Sequence, residues 1–205
     1  AYTEECKRLN IQILKPDINK SYTKFTVDGD KIRFGLGSVK NVGTSAVDEI
    51  VAERDRNGQF KDFTDFCERI QETNVNKKCI ESLIKAGAFD EFNETRRTLM
   101  ESFESILDTI TSSNKKELEG QVNMFDLGGS DSKEMKYTFK EFPEYSRKEL
   151  LFMEKEMLGL YISGHPLDNI RHQIEMQTNI NSFQMRQMEN TDEIGEEIRQ
   201  EIKDG

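Results

Sequence analysis

A series of short apolar segments at helical spacing, cut at close intervals by glycine-bearing turns, restricts this chain's fold more than any other feature. Leu36 and Val39 precede Lys40-Asn41-Val42-Gly43, and Ala46, Val47, Ile50 and Val51 then recur at helical spacing up to Asn57-Gly58. Phe63, Phe66 and Ile70 repeat the pattern over 62–71. Cys79, Ile80, Leu83 and Ile84 do so over 76–86, before a second turn at Lys85-Ala86-Gly87-Ala88. Such short helices are marginal alone, so they must pack on one another. A longer amphipathic helix is predicted from Glu94 to about Glu119, with Leu99, Phe103, Ile106, Leu107 and Ile110 on one face.

The flanks differ. Tyr2, Cys6 and Leu9 predict a helix end over 2–9 with Asn10 as its C-cap, followed by extended Ile11–Leu14 and a turn at Lys15-Pro16-Asp17. Lys24–Val27, Asp28-Gly29-Asp30 and Lys31–Phe34 read as a β-hairpin, expected to be the sole sheet. Residues 111–140 are rich in Ser, Gly, Asn, Lys and Asp around one apolar island, Val122–Leu127, and read as an extended linker. A helical period returns over 146–162 and stops at Ser163-Gly164-His165-Pro166. A helix over 167–176 and a polar tail from about 189 are expected to follow.

With 35% hydrophobic residues in 205 and a mean hydropathy of −0.74, the core must be thin and the surface highly charged. No run approaches the roughly 20 apolar residues that a membrane crossing needs, and the first residues lack a signal-peptide pattern. A soluble, cytoplasmic chain is expected. Cys6, Cys67 and Cys79 never stand in a C-x-x-C spacing, which points to buried thiols and not to disulfides or zinc. His165 and His172 have no second ligand at helical spacing, so no metal site is expected.

The net charge of −10 is unevenly placed. Residues 1–30 carry five acids and five bases, 31–97 carry twelve of each, and 98–205 hold 22 acids against 12 bases. A polyanion is therefore expected to meet only the first 97 residues, while the acidic remainder suits protein partners.

Val39-Lys40-Asn41-Val42-Gly43-Thr44-Ser45-Ala46 approaches the pattern in which a G-h-G turn joins two helices of a helix-hairpin-helix motif, with Asn41 in place of the first glycine. Asn tolerates left-handed backbone angles, and Gly43 leaves the position nearest a ligand bare. Amides of residues 42–45 at a helix start can hold a backbone phosphate without reading sequence, with Lys40 adding a charge beside them. Lys85, Ala86, Gly87 and Ala88 repeat apolar-Lys-x-x-Gly logic, either as a second phosphate cradle or as a structural partner for the first. The expected fold class is thus mainly α: a tandem helix-hairpin-helix bundle with one small β-hairpin and an extended linker followed by further helices.

With those residues in place the chain resembles the catalytic alpha subunits of bacterial DNA polymerase III, the C-family replicative polymerases. The strings that carry this include Glu5-Cys6-Lys7-Arg8-Leu9, Pro16-Asp17-Ile18-Asn19-Lys20-Ser21, Ile32 through Gly43, Phe63-Thr64-Asp65-Phe66-Cys67, Lys85 through Asp90, Glu154 through Tyr161 and Ile162 through Leu167. The resemblance implies the end of a fingers domain at 1–30 and a tandem helix-hairpin-helix domain at 31–110. It further implies a linker with a clamp-binding peptide at 111–145, a helical segment at 146–185, and an acidic tail at 186–205 towards a missing OB domain. It implies no catalytic residue here, because the palm carboxylates that hold two divalent metal ions, typically Mg, are absent from these strings. The chain alone is expected to lack nucleotidyltransferase activity.

Gln121-Val122-Asn123-Met124-Phe125 resembles the Q-x-x-[LM]-F pentapeptide by which this family binds the sliding clamp, its beta subunit. A polar anchor followed by two large apolar side chains in a polar linker can order in a groove, with Gln121 at the rim, Met124 and Phe125 in a pocket, and Leu127 adding contact. The implied partners are duplex DNA, the clamp and the other holoenzyme subunits, at replication forks on the nucleoid. Two rival readings are a helix-hairpin-helix repair enzyme, for which no catalytic cluster accompanies the turn, and a scaffold whose hairpins touch no DNA.

Overall fold

The computed structural model describes residues 5, 6, 8–118 and 140–168, with side chains described except for 114–118. The chain divides into two compact units, Ala1–His165 and Pro166–Gly205, and all the elements named here lie in the first.

Near the start, Asn10 takes the left-handed conformation at φ 56°, and the Ile11 N–H reaches back to the Cys6 carbonyl at 2.7 Å. That is the helix-ending geometry Asn was expected to supply. Strands β1 (Ile13–Leu14), β2 (Thr26–Asp28) and β3 (Lys31–Arg33) form one sheet in the order β1-β3-β2. The β2–β3 hairpin turns at Gly29, whose φ of +64° suits glycine. The extended stretch 11–14 does not stand apart, as the sequence reading had it: β1 runs parallel to β3, with Ile13 opposite Ile32. A two-stranded ribbon is marginal in water, and the third strand also brings Ile13 against the core.

Among the described residues, five α-helices follow a 3-10 turn at Leu36–Ser38: α1 (Thr44–Asn57), α2 (Phe63–Arg69), α3 (Lys77–Ala86), α4 (Arg96–Leu118) and α5 (Arg147–Leu158). Three of their starts follow from local side chains. Asp62 accepts from the Asp65 N–H, Asn76 from the Cys79 N–H, and Ser146 with Glu149 closes a reciprocal capping box. Helix α4 runs to Leu118, as its apolar period predicted, over residues 111–118 that composition alone would give to the linker. One boundary differs from expectation. Helix α5 stops at Leu158 and not at 162, because Gly159 turns left-handed at φ 74°.

The helices share one core. Phe63 and Phe66 meet Phe89 edge-on at centroid distances of 5.0 and 4.9 Å, and Phe60 packs on Phe66 at 5.1 Å. Met157 and Leu158 belong to the same buried cluster, so α5 completes the hairpin core and packs on α3. Buried charge is matched locally. Arg96 donates to Asp90 at 2.7 Å and lies 3.6 Å from Glu154, which also accepts the N–H groups of Ile162 and Ser163. Cys67 and Cys79 are buried thiols, as the sequence suggested, and burial pushes Cys79 up to about 11.

Candidate nucleic-acid interface

The first turn is built by buried neighbours that expose its polar atoms. Val39 and Val42 are anchored in the core, while Lys40, Asn41, Gly43, Thr44 and Ser45 face solvent. Asn41 adopts φ 63°, the left-handed geometry that its place in the motif demands. Two contacts fix the turn from outside: the Lys40 N–H donates to the Met157 carbonyl of α5 at 2.9 Å, and the Asn41 side-chain amide reaches Ser82 of α3 at 3.3 Å.

Gly43 is the N-cap of α1, with extended backbone angles and no side-chain hydrogen bond to the first helical amides. Its carbonyl accepts from Val47 at 3.1 Å, and the N–H groups of Thr44, Ser45 and Ala46 are left as the open donors of a helix start. A Cβ built on Gly43 meets nothing within 4 Å, so the chain itself does not require glycine there. Lys40 has no carboxylate partner among the described residues. The open donors and dipole of a helix start and an exposed lysine thus stand on one turn, an arrangement suited to an anion.

The second turn, at Lys85, Ala86, Gly87 and Ala88, is built differently from the first. Ala86 and Ala88 are buried, and Lys85 is engaged by Glu81 at 2.7 Å, an interaction that with Lys78 holds the Glu81 carboxyl below its ordinary range. Gly87 is left-handed at φ 80°, its N–H donating to Ile84 and that of Ala88 to Leu83, both at 3.0 Å. The face of Gly87 is covered, because a Cβ there would overlap the Arg96 guanidinium. The next helix begins only at Arg96, and Glu144 already accepts its first amides, from Arg96 at 2.9 Å and Arg97 at 3.2 Å. The polar groups around this turn are thus engaged within the fold. Glu144 stands 48 residues from Arg96 in the chain, and no local pattern announced that pairing.

Gln121, Met124, Phe125 and Leu127 lie outside the described residues. The family profile described as a helix-hairpin-helix motif matches residues 10–99, which includes both turns. The DNA polymerase III subunit alpha of Borreliella burgdorferi is 39% identical over 181 residues, covering 88% of this chain and 16% of that relative. Those of Deinococcus radiodurans and Campylobacter jejuni are 42% identical over 170 residues and 38% over 202, covering 82% and 94% of this chain. The chain belongs to the DNA polymerase III alpha-subunit family. It spans 12% of the Deinococcus relative and 16% of the Campylobacter one. In this alpha-subunit segment no cluster of three or more His, Cys, Asp or Glu side chains suited to a metal occurs among the described residues. Nor is any helix described long and apolar enough to cross a membrane.

Proposed function

We propose that this segment of a replicative DNA polymerase holds the backbone of duplex DNA through the Lys40–Ser45 turn and tethers the polymerase to its sliding clamp through Gln121 to Phe125. The observation that carries the DNA half is the open start of α1: uncapped amides, a bare Gly43 and an unpaired Lys40 on one exposed turn. Such a site contacts phosphate and carries no base code, as a polymerase that moves along any sequence requires. With the second turn occupied internally, few phosphates are engaged and DNA affinity is modest.

The clamp half is supported by the pentapeptide and by family membership. Helix α4 has 23 residues, hence a length of about 35 Å, and carries the chain to within three residues of Gln121. Phe142, beyond the pentapeptide, is bonded at the opposite end of that helix to Thr95 and Thr98. Weak contacts to clamp and DNA made together can raise apparent affinity by roughly 10²–10⁴.

Two titrations test the reading. Duplex binding by fluorescence anisotropy is expected to be independent of sequence and to weaken linearly in log K against log salt concentration; a salt-independent parent contradicts the DNA half. Pull-down on the cognate clamp is expected to be lost in the Met124→Ala, Phe125→Ala double variant while its duplex binding persists. Undiminished capture sinks the tether.

A further inference from the structure

The neutral charge of residues 31–97 conceals how the charges are placed. Among the described residues from 9 to 96, the arginines and most lysines lie within 4.0 Å of a carboxylate, as with Lys15 and Asp90, Arg33 and Asp28, Arg69 and Glu53, and Lys78 and Glu81. Lys24, Lys31, Lys40 and Lys61 do not. Three of those four stand on the β2–β3 hairpin, on the segment leading into it, or on the phosphate-binding turn.

Hairpin and turn are joined by backbone. The Leu36 N–H donates to the Tyr22 carbonyl at 2.8 Å and the Gly37 N–H to the Thr23 carbonyl at 3.1 Å, so Thr23-Lys24 lies against the 3-10 turn that leads into Lys40. Gly35 and Gly37 make this possible, because a Cβ on either would run into the backbone of Thr23 or Lys24. The Thr23 hydroxyl then donates to Asp48 on α1 at 2.8 Å, tying the segment beside the start of that helix. Nearby carboxylates are partly spent: Asp48 accepts from Thr23, and Asp28 is held by Arg33 at 2.6 Å. Asp30 marks the tip of the hairpin.

We infer that the β2–β3 hairpin and its approach, through Lys24 and Lys31, form a second phosphate-contacting surface that continues the Lys40–Ser45 turn along duplex DNA. This rests on the reading of that turn as a phosphate site. The partner follows from charge: a duplex presents one negative charge per about 1.7 Å of axis, so separate lysines on a continuous surface meet separate phosphates of one molecule. Pairing most other cations internally leaves the unpaired charge where the backbone amides already favour an anion, which lets an acidic chain approach a polyanion on one side.

The experiment is duplex titration from 50 to 200 mM salt, using the whole chain and comparing Lys24→Ala with Lys31→Ala in combination, Lys40→Ala, and Lys61→Ala as the unpaired lysine elsewhere. Lys24, Lys40 and Lys61 are exposed and Lys31 is half-buried on β3, and unchanged circular dichroism and melting confirm that the variants fold. With a slope of about 0.9 per phosphate contact, the hairpin double variant is expected to lose nearly two units of salt slope, so its affinity falls about 12-fold less than the parent's across that range. Lys61→Ala is expected to behave as the parent. A parental slope in the hairpin variant, with Lys40→Ala reduced, overturns the hairpin surface and leaves the turn intact. A reduced slope in the hairpin variant with Lys40→Ala unchanged supports the hairpin surface and removes Lys40 from the site. A parent that binds no duplex overturns both.

Discussion

Replacing Gly43 by Asp separates stability from binding, because the two respond with opposite sign. Gly43 has φ −76° and ψ 148°, ordinary for any residue, and open space where a side chain would go. An aspartate there can accept from the amides of Ser45 or Ala46, which no side chain now caps. That cap adds a few tenths of a kcal/mol over glycine, the helix dipole about 0.3–1, and the reduced freedom of the unfolded chain about 0.4–1. The protein is expected to gain about 1 kcal/mol and to melt some 2–4 °C higher. Duplex binding moves the other way, since the new carboxylate occupies the phosphate position. At about 5 Å from a phosphate, with an effective dielectric between 20 and 80, the repulsion is roughly 1–3 kcal/mol, or about 5- to 150-fold in affinity. Thermal melting and anisotropy at 50 mM salt read the two quantities on the same preparation. A variant that melts higher yet binds duplex with the parent's affinity refutes the phosphate site. One that melts lower refutes the open, uncapped helix start.

Gly87→Ala offers the contrast. Its φ of +80° and the Arg96 guanidinium over its face predict a loss of at least about 1–2 kcal/mol, read as a lower urea midpoint, where Gly43→Ala is expected to stay near the parent. The Asp90 ion pair predicts an acid response. Burial alone raises this carboxyl, but the hydrogen bonds and charges of Arg96 and Lys15 outweigh it and hold Asp90 below its ordinary range. A carboxyl lowered by folding stabilises the fold above the unfolded value of about 3.9 and ceases to do so as pH falls through the folded value. Urea midpoints measured from pH 6 down to pH 2 are therefore expected to fall less steeply below pH 4 in Asp90→Asn than in the parent. An identical acid limb in both denies the pair its role.

The sequence by itself settled what depends on a few neighbouring residues. Asn10 and Asn41 are left-handed, Asp62, Asn76 and Ser146 cap their helices, and apolar spacing placed every helix core between Ala46 and Ile110, because each follows from contacts within four or five positions. Local spacing also made the two turns look alike. Tertiary structure decided which of them is available. Whether a backbone amide stays open depends on what the distant chain brings to it. At the second turn Arg96 fills the space beside Gly87 and Glu144 takes the next helix start, while at the first Met157 and Ser82 hold the turn from behind and leave Gly43 bare. The same holds for β1, drawn into the sheet by β3, for α5, drawn into the hairpin core by its buried Met157 and Leu158, and for the lysines, whose freedom depends on which carboxylates folding places beside their neighbours.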